Sequence, residues 1–185
     1  ILKKLDKEGK KPLIPSEQVL HYLYICALDG TGKGDEAKVN RYFIDRLVKL
    51  ENAGALTIYG KACSAVILQL AGEENKAKEV LQSLMEYSVY TDEMGRYFDT
   101  PRAEYSWKSY RIPTQVAAIE AVSRVAKEEK TIEELKRWLL QQKRTQDWES
   151  PVATTDAAYA LLNTGESVLD NNGACQIKLG KVFTQ

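Results

Sequence analysis

The sequence predicts an all-α fold built from helical hairpins. Three observations lead to this prediction: apolar residues recur at helical spacing, Gly and Pro separate the periodic segments, and the helices alternate in character. The first, third, fifth and seventh helices are apolar and rich in alanine, whereas the second, fourth and sixth are amphipathic and carry Lys, Glu and Arg. Stacked hairpins produce this alternation because their inner helices are buried on several sides and their outer helices on one.

Four of the predicted helices precede residue 91. Ser16 is a candidate N-cap for the first, and the second is predicted from Asp35 through Leu50. The third runs from about Thr57 to Leu70 and is apolar almost all round, which predicts burial on several sides. The fourth spans about Asn75 to Tyr90, with its apolar residues on one face. A glycine-containing break follows each of the first three.

Three more helices and a strand are predicted in the second half. Pro113 suits the first turn of the fifth helix, since its missing N–H would be unpaired there anyway. A capping box beginning at Thr131 opens the sixth helix, which is expected to reach about Gln142. Pro151 opens the seventh, from Val152 to Leu162. The tail from Ala174 to Gln185 alternates like a short β-strand with no partner nearby.

The spacing of the apolar helices indicates a repeat. They start near Pro15, Ile58, Pro113 and Pro151, a loose period of about 40 to 55 residues. Two architectures fit: an open solenoid of helix pairs, and a closed or partly closed α/α toroid with the inner helices around its axis. Spacing alone does not separate them.

Composition and charge argue against several function classes. Twenty-six basic and 26 acidic residues give a formal net charge of zero, which argues against a nucleic-acid or anionic-membrane binder. The uncharged stretch from Ala62 to Gly72 is far shorter than the roughly 18 apolar residues of a membrane span. Three cysteines are too few for a disulfide framework or zinc cluster, and the lone His21 lacks the sequence partners of a metal site or triad. We therefore expect no catalytic residue, metal site or cofactor.

The irregular segment from Thr91 to Ile112 holds the candidate binding residues. About twenty residues without regular structure indicate a functional loop or a misassigned element, and a short strand pair is an alternative. Aromatic rings interleaved with charges suit a stacking platform for sugars or an anchor for a protein partner. The alternative that we favour is that the rings plug the end of the helical barrel. The aromatic residues are Tyr97, Phe98, Tyr105, Trp107 and Tyr110.

One segment resembles bacterial alpha-2-macroglobulin family proteins. It runs from Trp138 to Leu162, and it is similar to the last helical pair of that family's thioester-type helical domain. The run from Leu13 to Tyr24 looks like a more diverged inner helix of the same domain, and the tail from Gly173 to Leu179 like the start of the β-domain that follows it. The matching positions are Trp138, Leu139, Leu140, Gln142, Lys143, Trp148, Ser150, Ala153, Thr154, Ala157, Ala160, Leu161 and Leu162.

The resemblance implies both a fold and a function. It implies a truncated α/α toroid of the terpenoid cyclase/prenyltransferase-like type over residues 1–165, with residues 166–185 as a linker and the start of a β-domain. It implies a fragment of a large secreted or envelope-associated, hence extracytoplasmic, endopeptidase inhibitor that traps proteases. The implied partners are proteases, through the parent protein, and neighbouring β-domains of the same chain. The segment itself would not be an enzyme.

The family's reactive motif is missing from this sequence. An internal thioester joins a Cys to a Gln three residues later, and neither Cys26, Cys63 nor Cys175 has a Gln at that distance. No covalent trapping chemistry is therefore expected in this segment.

Two alternatives remain open: a non-inhibitory interaction scaffold, and a carbohydrate-active α/α-toroid enzyme that uses a pair of loop acids. The candidate loop acids are Asp92, Asp99, Glu104, Asp147 and Glu149.

Overall fold

The computed structural model describes residues 14–30, 35–98, 111–145, 148, 150–164, 178–179 and 182–183. Seven α-helices dominate these residues, so the all-α prediction is confirmed. Ala53–Ala55 forms a 3₁₀ turn before the third helix, and the fifth helix continues into a π-helical turn over Val122–Ala126. The helices are α1 Glu17–Asp29, α2 Asp35–Val48, α3 Ile58–Leu70, α4 Glu74–Met85, α5 Arg111–Ala121, α6 Glu129–Thr145 and α7 Pro151–Asn163.

Hydroxyl side chains cap three of the apolar helices. Ser16 Oγ accepts a hydrogen bond from the Val19 N–H at 3.4 Å, as predicted for α1. Thr57 Oγ1 caps α3 through the Gly60 N–H at 3.0 Å. Ser150 Oγ caps α7 through the Ala153 N–H at 3.1 Å. Each cap satisfies a backbone donor that the first helical turn leaves unpaired.

The fourth helix is shorter than predicted, because a β-hairpin replaces its last turn. The helix ends at Met85, and Val89–Thr91 (β1) pairs antiparallel with Gly95–Tyr97 (β2), with Tyr90 opposite Arg96. Aromatic and β-branched residues favour extended backbone here, and Gly95 has a φ of 78° that glycine adopts without strain. The strand-pair alternative for the irregular segment is therefore confirmed.

The remaining boundaries shift by a few residues. The fifth helix begins at Arg111, two positions before Pro113, and the sixth extends from Glu129 to Thr145. The tail, predicted as one unpartnered strand, contains two short strands that pair antiparallel, Lys178–Leu179 (β3) and Val182–Phe183 (β4). The single-strand prediction was wrong because the two halves of the alternating segment can pair with each other across only two intervening residues.

The four apolar helices pack in chain order. α3 lies against α1 and α5, and α5 lies against α7. Of the amphipathic helices, α2 and α4 pack against α3, whereas α6 packs against α5 and β2. Burial is deepest in the middle of the row: every residue of α3 from Ile58 to Leu68 is buried, as the all-round apolarity predicted. We call α1, α3, α5 and α7 the inner row.

Alanines form many of the contacts within the inner row, and each of them is at most 6% exposed. Their small side chains allow neighbouring helices to approach closely, and the bulkier Trp138 and Phe98 fill the core beside α6. The alanines are Ala62, Ala65, Ala117, Ala118, Ala121, Ala153, Ala157 and Ala160. Across the described part of the chain, no helix combines the length and apolarity needed to cross a membrane.

Candidate functional site

A cavity of about 880 Å³ lies between the four helices of the inner row. We call it the inner-row cavity. It is large enough for a small organic molecule, since ligand pockets commonly measure about 300–1,000 Å³. Its described lining residues are Ser16, Glu17, Gln18, His21, Tyr24, Ile25, Leu28, Tyr59, Pro113, Val116, Ala117, Val152, Asp156 and Tyr159.

Helical periodicity brings polar and aromatic side chains to the cavity. On α1, Glu17, His21, Tyr24 and Leu28 follow the three- and four-residue spacing that places side chains on one face. On α7, the stripe of residues 152, 156 and 159 has the same spacing. These polar groups interrupt helices that are otherwise apolar.

The amino-acid sequence does not show that these side chains lie close together. Consecutive helices that contribute them start about 40 to 55 residues apart in sequence, and spacing along one helix does not reveal which faces meet. A signal was nevertheless present, because Glu17, His21 and Asp156 are charged or titratable residues on helices predicted to be internal.

His21 and Tyr59 form a hydrogen-bonded pair at the cavity wall. The hydrogen bond joins His21 Nδ1 to the Tyr59 hydroxyl, and the two ring centroids are 6.1 Å apart. Tyr59 is only 4% exposed, and this burial raises the pKa of its phenol. Tyr59 therefore stays protonated at neutral pH and has a proton to donate to the imidazole. His21 is thus partnered by Tyr59.

The two carboxylates of the lining have different surroundings. Glu17 Oε1 accepts a hydrogen bond from Thr57 Oγ1 at 2.6 Å, which ties α1 to the N-terminus of α3. Asp156 makes no hydrogen bond or ion pair with any described residue. Burial raises its pKa, and the nearby His21 opposes that shift. Asp156 is thus the carboxylate that remains available to a ligand.

Neither described thiol is placed as a nucleophile for the inner-row cavity. Cys63 is fully buried in α3, and burial raises its pKa to about 12, so it acts as a small hydrophobic residue. Cys26 lies instead in a shallower groove between α1, α2 and α3. Within the described ranges, no three His, Cys, Asp or Glu residues are grouped so as to hold a metal ion.

The structure describes two of the five predicted aromatic binding residues. Phe98 is completely buried, and Tyr97 is half-buried and stacks on Trp138 with ring centroids 6.4 Å apart. Neither belongs to the described lining of the inner-row cavity. Tyr105, Trp107 and Tyr110 lie outside the described residues, so their binding role stays a prediction.

The loop acids of the enzyme alternative are mostly outside the described residues. Asp92 is exposed in the turn between β1 and β2 and accepts a hydrogen bond from the Tyr90 hydroxyl at 2.9 Å. The other four candidates, Asp99, Glu104, Asp147 and Glu149, are not described.

The β-hairpin is fastened to two helices by a polar network. Arg96 Nε donates to Glu134 Oε2 of α6 at 2.8 Å. The fully buried Gln115 of α5 donates from Nε2 to the Arg96 carbonyl at 2.8 Å and to the Leu135 carbonyl at 3.1 Å. One side chain thereby joins α5, α6 and β2.

The described residues of the segment from Trp138 to Leu162 pack α6, attach the connection between α6 and α7 to α6, and cap α7. Trp148 Nε1 donates to the Leu139 carbonyl at 3.3 Å, and Lys143 Nζ lies 5.4 Å from the centroid of the Trp148 ring. Trp138 is buried in the core, and Ser150 caps α7. Within the described residues, the motif thus serves packing and capping.

No protein-family model, curated protein or solved structure matches the chain.

Proposed function

We propose that the chain is a helical-domain segment of a bacterial alpha-2-macroglobulin-like protein that inhibits endopeptidases by trapping them. The observation that supports this proposal is the division of the seven helices: α1, α3, α5 and α7 pack in a row, and α2, α4 and α6 pack outside it. In the proposal these helices are three and a half hairpins of an α/α toroid, and the inner-row cavity lies along its axis.

The hairpin of α6 and α7 adds support. The resemblance depends on residues that here bury the Trp138 ring, hydrogen-bond Trp148 to α6 and cap α7. A related protein would need the same residue types to build the same hairpin, so the motif fits a shared structural module without shared active-site chemistry.

In the proposed mechanism, a protease cuts a bait segment elsewhere in the parent protein, and the molecule rearranges around it. This segment moves as a rigid body, which its continuous core from α1 to α7 favours. It supplies no nucleophile, because Cys63 is buried and the sequence has no Cys three residues before a Gln. Its partners are the trapped protease and neighbouring β-domains, in an extracytoplasmic location.

The test uses the full-length gene product that contains this sequence. It is mixed with a panel of endopeptidases, with and without methylamine pretreatment, and followed on denaturing gels and by residual protease activity. The matched control is the same protein with Trp148 replaced by Phe, which keeps an aromatic ring and removes the hydrogen bond to Leu139.

Two outcomes support the proposal. A protease-linked band that methylamine abolishes indicates a thioester elsewhere in the parent protein. Specific cleavage with lost protease activity and no linked band indicates non-covalent trapping. In either case we expect Trp148→Phe to retain trapping, since that residue positions a hairpin and takes no part in chemistry. A parent protein that no endopeptidase cleaves specifically, and that inhibits none, overturns the proposal.

A further inference from the structure

Acidic side chains dominate the charge around the inner-row cavity. Two carboxylates, Glu17 and Asp156, and one imidazole, His21, belong to its described lining, and no Lys or Arg does. We propose that this cavity binds an amphiphilic amine, that is, an ammonium group carried on an apolar body. This inference does not rest on the proposed function.

Asp156 is the anchor for the ammonium group. Its carboxylate has no hydrogen-bond or ion-pair partner among the described residues, and its half-buried position at the cavity leaves it short of water. Glu17 is already hydrogen-bonded to Thr57 and contributes mainly its charge. A cation beside Asp156 would supply the missing partner, whereas an anion would be repelled by both carboxylates.

Aromatic rings surround the same space. Tyr24, Tyr59 and Tyr159 come from three different helices of the inner row, and each lines the cavity. The negative faces of such rings attract an ammonium group, and the attraction grows as the cation loses water. A neutral polar ligand such as a sugar would gain neither this attraction nor the charge of Asp156.

The apolar lining accounts for the other half of the ligand. Ile25 is 51% exposed and Val152 is 69% exposed, and both line the cavity together with Leu28 and Val116. An alkyl or aryl body would cover these side chains and remove apolar surface from water. The volume of about 880 Å³ is sufficient for a ligand with a phenyl ring and a short chain.

The test is a charge series of three probes with one shared body. 4-Phenylbutylamine is cationic, 4-phenylbutanol is neutral and 4-phenylbutyrate is anionic at pH 7. Each is titrated into the 185-residue chain by calorimetry and by ligand-observed NMR. We expect the amine to bind most tightly, the alcohol about tenfold more weakly, and the butyrate more weakly still.

Variants connect the charge preference to the cavity. Asp156→Asn is expected to lower the affinity for the amine about tenfold and to leave the affinity for the alcohol unchanged. Glu86→Gln removes an exposed carboxylate directly after the end of α4 and outside the described lining, and it should change neither affinity. Circular dichroism melts confirm that both variants are folded.

Several results would overturn the inference. These are equal affinities for all three probes, tighter binding of the butyrate, no binding of the amine, or an Asp156→Asn variant that keeps the full preference for the amine. None of these results bears on protease trapping, because that experiment measures a different activity in the parent protein.

Discussion

Gln115 gives the sharpest stability prediction, because one buried amide group connects three elements. Its Nε2 donates to carbonyls of β2 and α6, while its Oε1 is buried and has no hydrogen-bond partner among the described residues. Replacing it with Met keeps a similar volume and removes both donors. The variant therefore isolates the hydrogen bonds from the packing.

The expected magnitude follows from those contacts. Each lost hydrogen bond costs about 1 kcal/mol on average, and removing the unpartnered Oε1 returns part of that cost. We expect Gln115→Met to lower the free energy of unfolding by roughly 1–2 kcal/mol, which corresponds to a fall in Tm of about 2–8 °C for a chain of this size. Total stabilities are only about 5–15 kcal/mol, so the change is readily measurable.

Urea unfolding followed by circular dichroism measures this change. The matched control is Gln82→Met on the exposed side of α4, which should leave the urea midpoint unchanged. Hydrogen exchange adds a local readout, since amides of β1 and β2 should exchange faster in Gln115→Met. Equal urea midpoints for the two variants would show that the Gln115 network does not stabilise the fold.

Three further predictions concern single side chains. In urea unfolding, Gly95→Ala should destabilise the chain more than Gly72→Ala. Both glycines have positive φ, but a Cβ at Gly95 would lie 2.3 Å from a backbone oxygen of α6, whereas a Cβ at Gly72 would meet nothing within 4 Å. Equal losses of stability in the two variants would contradict this prediction. Peptide mapping after alkylation of the native chain at pH 8 should find Cys26 modified well before Cys63, because burial raises the thiol pKa of Cys63 to about 12. Early labelling of Cys63 would show that its thiol is not buried. Because burial raises the pKa of Asp156, the folded state binds the carboxyl proton more tightly than the unfolded state does, and stability is lost as pH rises through the folded pKa. Asp156→Asn should therefore have a higher urea midpoint than the parent chain at pH 7, and this gain should disappear below pH 3.8. A gain that persists below pH 3.8 would refute this linkage between the Asp156 pKa and stability.

Helical periodicity predicted the helices well where the apolar pattern and the local helix signals favour the same structure. The sequence predicted all seven helices. The N-cap at Ser16 and the helix start at Pro151 could be predicted because each depends only on residues within one short segment. The fourth helix was overextended because residues 87–90 continue an apolar pattern that a helix and a strand share. Pairing with β2 decides between the two, and a pairing partner is not visible in the local pattern.

The site was harder to predict than the fold. The sequence offered the aromatic residues of the irregular segment either as ligand contacts or, as we favoured, as rings that plug the helical barrel, and the described Phe98 belongs to the core. The inner-row cavity instead collects side chains from α1, α3, α5 and α7, so its composition depends on how four helices are oriented toward each other. Sequence periodicity predicts which side chains share a face of each helix, but it does not predict which faces pack against each other.

The alanines of the inner row also restrict how this chain can change during evolution. At a contact already made by a methyl group, every replacement except glycine adds atoms to a space that is full, and glycine weakens the helix. Substitution at these positions should therefore be slow and limited almost entirely to serine, which adds a single atom, or to compensating pairs of substitutions. The outer faces of α2, α4 and α6 carry no such restriction, so a lineage of related sequences would diverge fastest on the outside of the helical layer and most slowly at its alanine seams.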